Sequence, residues 1–151
     1  MATLAQFSRN IRSQGSLIEN SGTAMVKAFS KRALRSLVRG TPADEGVARS
    51  NWRVGIGAPT RVAIGAYAPG KNLGISETAN ANAATNAGIA RINSVRGVRG
   101  RGLETSIYIS NAVPYIKELN NGSSKQAAGG FIEVALKEAQ QEIQGFRLFS
   151  R

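Results

Sequence analysis

The chain has 151 residues, neither cysteine nor histidine, and 20 Lys and Arg against 9 Asp and Glu, a formal charge of +11. That length suits one domain with a modest core, and 42% hydrophobic residues exclude a chain disordered by composition. Without cysteine there are no disulfides and no thiol chemistry, and without histidine the usual general base is missing.

No apolar run approaches the roughly 18 residues that a bilayer span requires, so no membrane partner is expected. The opening MATLAQFSRNIRSQG lacks the apolar centre of a secretory leader, and an intracellular route of assembly is expected. The charge is uneven. Residues 1–40 hold seven bases and one acid, residues 71–102 five and one, while residues 103–151 balance at five each. A basic first half implies a polyanionic neighbour, either nucleic acid or the acidic face of another protein.

In chain order, Leu4, Phe7 and Ile11 suggest a short first helix or arm within 1–20, broken at Gly15. Residues 21–39 carry the strongest helical period, with Val26, Phe29, Ala33 and Leu37 on one face and Met25, Leu34 and Val38 widening it. Ser21 or Thr23 would cap its start. Gly40-Thr41-Pro42 would end it, glycine in a left-handed conformation and proline unable to continue. The turn TPADEG leads into SNWRVGIG, where Trp52, Val54 and Ile56 alternate as a strand does. TRVAIGAY reads as a second strand.

SETANANAATNAGIARINS, 76–94, reads as a helix capped by Ser76, with Ala79, Ala83, Ala87 and Ile92 near one side; so small a face must pack very closely or be loosely held. VRGVRGRG is a glycine-spaced basic loop, and LETSIYIS a strand. Val113, Ile116 and Leu119 define a short helix over 113–120 begun by Pro114, stopped by Asn120-Asn121-Gly122. Ile132, Leu136, Ala139 and Ile143 share one side of a last helix over 131–145. The expectation is a single α+β domain over 1–151: a small, mostly antiparallel sheet packed by a long N-terminal helix and a C-terminal helix. Within it, the pattern leaves the structure of the middle segment, 57–104, open.

Catalytic signals are sparse. Ser123, Ser124 and Lys125 could form a Ser–Lys pair, but neighbours in sequence seldom face each other, and loop polarity explains them. Asp44-Glu45 are adjacent carboxylates inside a turn, without a second acid nearby. Carboxylates are too sparse for a metal cage, so neither metal nor cofactor is expected. Gly65 to Gly70-Lys71 has the spacing of a phosphate-binding loop, yet Asn72 offers no hydroxyl for a magnesium ion and Pro69 removes an amide. Arg91, Arg96, Arg99 and Arg101 lie on or beside the glycine-rich loop and could reach phosphates or an acidic partner. No aromatic residue is interleaved with them, so any such contact would be blind to base sequence.

Two stretches together resemble the neck and tail-completion proteins of tailed bacteriophages, small ring-forming proteins of the head–tail junction. The first is TPADEGVARSNWRV, with Thr41, Pro42, Asp44, Gly46, Arg49, Ser50, Asn51 and Trp52. The second runs from Asn111 through Pro114-Tyr115-Ile116 and Leu119-Asn120 to Gly122-Ser123-Ser124-Lys125-Gln126-Ala127, then Gly130-Phe131. With flanking helices they cover about two thirds of the chain, in the family's order. Glu45 stands where the family usually has Thr and Ala128 where it has Pro, and 57–104 is longer than in compact members.

The resemblance implies a virion protein that catalyses nothing. It implies a homo-oligomeric ring, six subunits being the expected number, between the portal or adaptor and the tail, around the channel through which viral DNA leaves. Motif residues would then define shape, Trp52 as a core anchor whose indole N–H needs a partner, Tyr115 as a ring buried with its hydroxyl at an edge. Residues 120–128 would dock on a neighbour. Two other readings compete: a small basic protein that binds DNA or assists packaging without sequence preference, and an enzyme working through Asp44, Ser123 and Lys125.

Overall fold

Thirty-seven consecutive residues, Leu4–Gly40, form one helix, α1, about 55 Å long at the standard rise. In this computed structural model, which describes residues 4–70, 75–96 and 106–146, α1 is followed by α2 (Val47–Ser50), β1 (Arg53–Ile56), α3 (Ile75–Asn93), β2 (Ile107–Ser110), α4 (Ile116–Asn120) and α5 (Phe131–Ile143). No described helix is long and apolar enough to cross a membrane.

The break expected at Gly15 does not occur. A glycine inside a helix costs about 1 kcal/mol relative to alanine, but it keeps its N–H, so the helix runs on. Ser21 and Thr23, expected as caps, therefore lie inside α1.

Among the described residues, the buried side chains of α1 all lie from Thr23 onward. Ala33, Leu34, Leu37 and Val38 are buried with Trp52, Ala84, Ile92, Phe131 and Ala135, and α1 touches α5, α3, α2 and β2. Burying a leucine such as Leu34, wholly enclosed here, contributes about 1.5–3 kcal/mol. The helix ends at Gly40 as expected, for a different reason. Gly40 has no positive φ; a Cβ there would stand 2.9 Å from the Cβ of Phe131, so its role is to let α5 approach.

On α5 the buried line is Phe131, Ala135 and Ala139, and Leu136, expected inside, is 47% exposed. Small residues win the interface because the two helices pass so near each other. The α3 face is likewise shifted by one residue. Asn80, Ala84, Gly88 and Ile92 point inward, while Ala79 and Ala87 are exposed and Ala83 is half-buried. A Cβ at Gly88 would overlap the Leu34 side chain, so this small-residue face packs very closely.

The sheet has two antiparallel strands, Arg53 opposite Ser110 and Ile56 opposite Ile107. The second strand expected from TRVAIGAY is absent. Residues 59–66 belong to no helix or strand, and side chains supply the pairing instead. The Ser110 hydroxyl donates to the Thr60 carbonyl and accepts from the Thr60 N–H, both at 3.1 Å. The Asn51 amide donates to the Ile64 carbonyl at 2.7 Å and accepts from the Ile64 N–H at 2.8 Å. Asn80 does the same for Ala68, at 2.9 and 2.7 Å, and its Oδ1 also accepts the Ser50 hydroxyl at 3.0 Å.

The short helix expected from 113 begins at Ile116. Val113 and Pro114 precede it in a turn, with the Ile116 N–H donating to the Val113 carbonyl at 3.2 Å. The last helix ends at Ile143 rather than 145.

Asn80→Ala should leave both backbone groups of Ala68 unpaired and take away the acceptor of the Ser50 hydroxyl, which keeps the Tyr67 N–H. At about 1–3 kcal/mol for each buried orphan, we expect a loss of roughly 3 kcal/mol in urea unfolding, with faster amide exchange at Ala68. A loss under about 1 kcal/mol would show that Asn80 does not brace this segment.

Candidate functional site

The loop after α4 is closed at its neck by one residue. The Asn120 carbonyl accepts the Gly130 N–H at 2.7 Å, its Oδ1 accepts the Ile132 N–H at 2.9 Å, and its Nδ2 donates to both Glu133 carboxylate oxygens at 3.2 and 3.0 Å. Asn120 thus caps the start of α5 from outside that helix, satisfying an amide the helix leaves unpaired. The Asn120 amide, and after it the Glu133 backbone N–H, hold the Glu133 carboxyl below the usual carboxylate range.

Gly122 reverses the chain with φ +86°, and Gly129 lies against it so closely that a Cβ at 129 would stand 3.0 Å from the Gly122 nitrogen. Within the loop, the Ser123 N–H donates to the Glu118 carbonyl and the Gln126 N–H to the Ser124 hydroxyl. The side chains of Ser123, Lys125 and Gln126 remain exposed.

The turn after α1 is built on Thr41. Its hydroxyl donates to the Leu37 carbonyl at 2.6 Å and accepts the Trp52 indole N–H at 2.7 Å, the partner that the buried tryptophan requires. The Arg49 guanidinium, 7% exposed, donates through Nη2 to the Thr41 carbonyl at 2.7 Å. Gly46 takes φ +74° before α2, and a Cβ there would overlap the Asn80 amide. Pro42 and Ala43 are buried, and Asp44 and Glu45 are exposed.

A groove of about 360 Å³ joins the two regions. Its wall on one side is Pro42, Asp44, Glu45, Gly46, Val47 and Ala48, and on the other Tyr115, Leu119 and the loop residues Ser124 to Gln126. Residues some seventy positions apart, from both motif stretches, therefore meet. Burial, then Glu45, then Asp44, raise the Tyr115 hydroxyl above the ordinary phenol range, although the residue keeps 46% of its surface exposed. Two carboxylates and a phenol ring beside apolar walls suit a cationic side chain.

Not every site residue named from the sequence joins this groove. Arg49 and Trp52 stand behind the turn as its supports. Pro114 is exposed in the turn before α4, and Gly122 and Ser123 belong to the loop but not to the groove lining. Arg91, exposed near the end of α3, lines a separate hollow with Arg53, and Arg96 is exposed beyond it. Arg99 and Arg101 lie outside the described residues. In the phosphate-loop candidate, the Tyr67 and Ala68 amides are already engaged by Ser50 and Asn80, and Lys71 is outside the described residues.

The sequence places Arg35 and Arg39, like Lys27 and Lys31, off the apolar face of α1, but it does not single out the row they make with Arg32. Arg32, Arg35 and Arg39 on α1 line a second groove of about 430 Å³ with Gly40, Val134 and the next loop residues, Ala127 to Gly129. Arg32 pairs with Glu138 at 3.1 Å, an exposed contact worth little by itself. The steps of three and four along a helix carry the signal that sets Arg32 beside Arg35 and Arg39. The loop thus stands between a groove whose opposite wall carries Asp44 and Glu45 and one whose opposite wall carries the three arginines.

Tyr115 should titrate above the ordinary phenol value in an ultraviolet titration of protein carrying Tyr67→Phe and Tyr108→Phe. Adding Asp44→Asn and Glu45→Gln should lower the midpoint part of the way, since burial remains. No change on neutralising both carboxylates would show that they do not act on the hydroxyl.

No family model, curated protein or solved structure matches the chain.

Proposed function

We propose that this chain is a structural subunit of a tailed-phage virion, closing into a homo-oligomeric ring at the head–tail junction around the DNA exit channel. The observation that carries the reading is the meeting of both motif stretches at one groove and one pinned loop. The most buried polar side chains of the first stretch, Thr41, Arg49, Ser50 and Asn51, bond to backbone or to Trp52 and Asn80, which is how a contour is held. A prearranged loop also loses less conformational freedom when a neighbour docks on it.

Portal-side and tail proteins are the partners on the two rims, and assembly takes place in the host cytoplasm. Contacts that repeat head to tail around an axis close such a ring. Purified protein should give closed rings, six subunits being expected, in mass photometry and electron microscopy, and the chain should be found in purified virions. Protein that stays monomeric and is missing from virions would overturn the proposal.

A second reading is favoured by the row Arg32, Arg35 and Arg39 together with exposed Arg91 and Arg96: a basic accessory protein that binds duplex without reading its sequence. It requires affinity that falls steeply with salt, and Arg35→Ala with Arg39→Ala should reduce the slope of log K against log salt by about 1 for each phosphate that is no longer neutralised. No binding at low salt would remove it.

A further inference from the structure

The N-terminal half of α1 leaves the body of the molecule. Every described side chain between Gln6 and Asn20 is exposed, a Cβ at Gly15 or Gly22 would meet nothing, and the first buried residue is Thr23. Leu17 and Ile18 are 63% and 42% exposed on this arm, and Leu4, Phe7 and Ile11 precede them at three- and four-residue steps along the same helix. An isolated helix of that length is marginal in water, so the arm gains from a partner for its apolar stripe. Its own body cannot supply one, because an unbroken helix does not fold back on the surface it is leaving.

The same chain carries a complementary surface. On α5, the line that faces α1 is Phe131, Ala135 and Ala139, and beside it Ile132 and Ile143 are half-buried while Leu136 is 47% exposed. Glu133, whose carboxylate also accepts the Asn120 amide, stands three residues before Leu136 on the same side, while Glu138 is engaged by Arg32 of α1. The arm, in contrast, holds Arg9 and Arg12 and no acid before Glu19. Apolar side chains and opposite charges are thus paired across two surfaces that one copy cannot bring together.

We infer that the α1 arm of one copy docks on the Leu136 flank of α5 in a second copy. The contact is heterologous: every copy donates an arm and receives one, so a row of copies keeps one empty flank and one undocked arm until it closes. It rests on the ring reading above and names the surfaces through which the ring would close.

The test uses two variants of the full chain, followed by light scattering after size exclusion. Leu17→Asp with Ile18→Asp damages the arm, and Leu136→Glu damages the flank. Each should lose the ring peak while keeping the helical signal and thermal midpoint of the body; if Leu136→Glu fails to fold, Leu136→Gln replaces it. Mixed together, the two variants should give a one-to-one dimer and nothing larger, because only one sound arm and one sound flank can meet. Rings that survive both substitutions remove the arm docking and leave the ring reading standing. Loss of rings with the arm variant alone, or no dimer on mixing, likewise overturns the docking. Wild-type protein that never assembles overturns this inference and the ring reading together.

Discussion

The hydroxyl of Thr41 holds together the end of α1, the turn and the first strand. It donates to the last free turn of α1 through the Leu37 carbonyl and receives the Trp52 indole, while its own carbonyl receives Arg49. These contacts are buried, where a polar group without a partner would cost a substantial share of a domain's small net stability. With them made, Trp52 enters the core beside Leu34 and Leu37, and the path of the chain from α1 through α2 into β1 is set. Asp44 and Glu45 then have only one place to go, the exposed crest of the turn, so the acidic side of the groove follows from an interaction at its base.

What the sequence revealed and what it concealed differ by range. The core face of α1 was legible because Ala33, Leu34, Leu37 and Val38 repeat at helical steps, and the need of the Trp52 indole for a partner was legible from chemistry alone. The error at TRVAIGAY has a physical origin. Val62 and Ile64 alternate as in a strand, yet the groups that pair this segment are the side chains of Ser50, Asn51, Arg53 and Ser110, between 9 and 50 residues away. No local pattern distinguishes a backbone partner from a side-chain amide that imitates one. On α3 and α5 the shift in buried face has another cause. Periodicity favours large apolar residues for the interior, whereas the distance between helices favours Ala135, Ala139, Ala84 and Gly88.

The candidate site shows the same division. Both of its walls stood out as motifs, and the conformational demands of Gly46 and Gly122 fit their positions in turns. Their adjacency did not stand out, because it depends on α4 lying beside the turn that leaves α1. The neck of the loop is more telling still. Asn120 looked like a helix stop, and it is one, but the same side chain starts the next helix by accepting the Ile132 amide. A residue that ends α4 and begins α5 fixes the distance between them, so the length and lean of the loop are determined at its base rather than along its exposed crest.

One helix therefore serves two purposes that are usually separated. The half of α1 from Thr23 onward is the surface on which α3 and α5 settle; the half before it, about 28 Å long, places none of its described side chains in that core. A hinge between them would have been easy to build, and Gly15 and Gly22 offer positions for one, yet the helix continues through both. Continuity has a mechanical consequence. A force on the arm is carried by consecutive backbone hydrogen bonds into the centre of the core, with no joint to absorb it. An arm designed only to tether would do as well on a flexible linker, whereas an arm that must set the angle between neighbours has to be rigid at the point where it leaves the body.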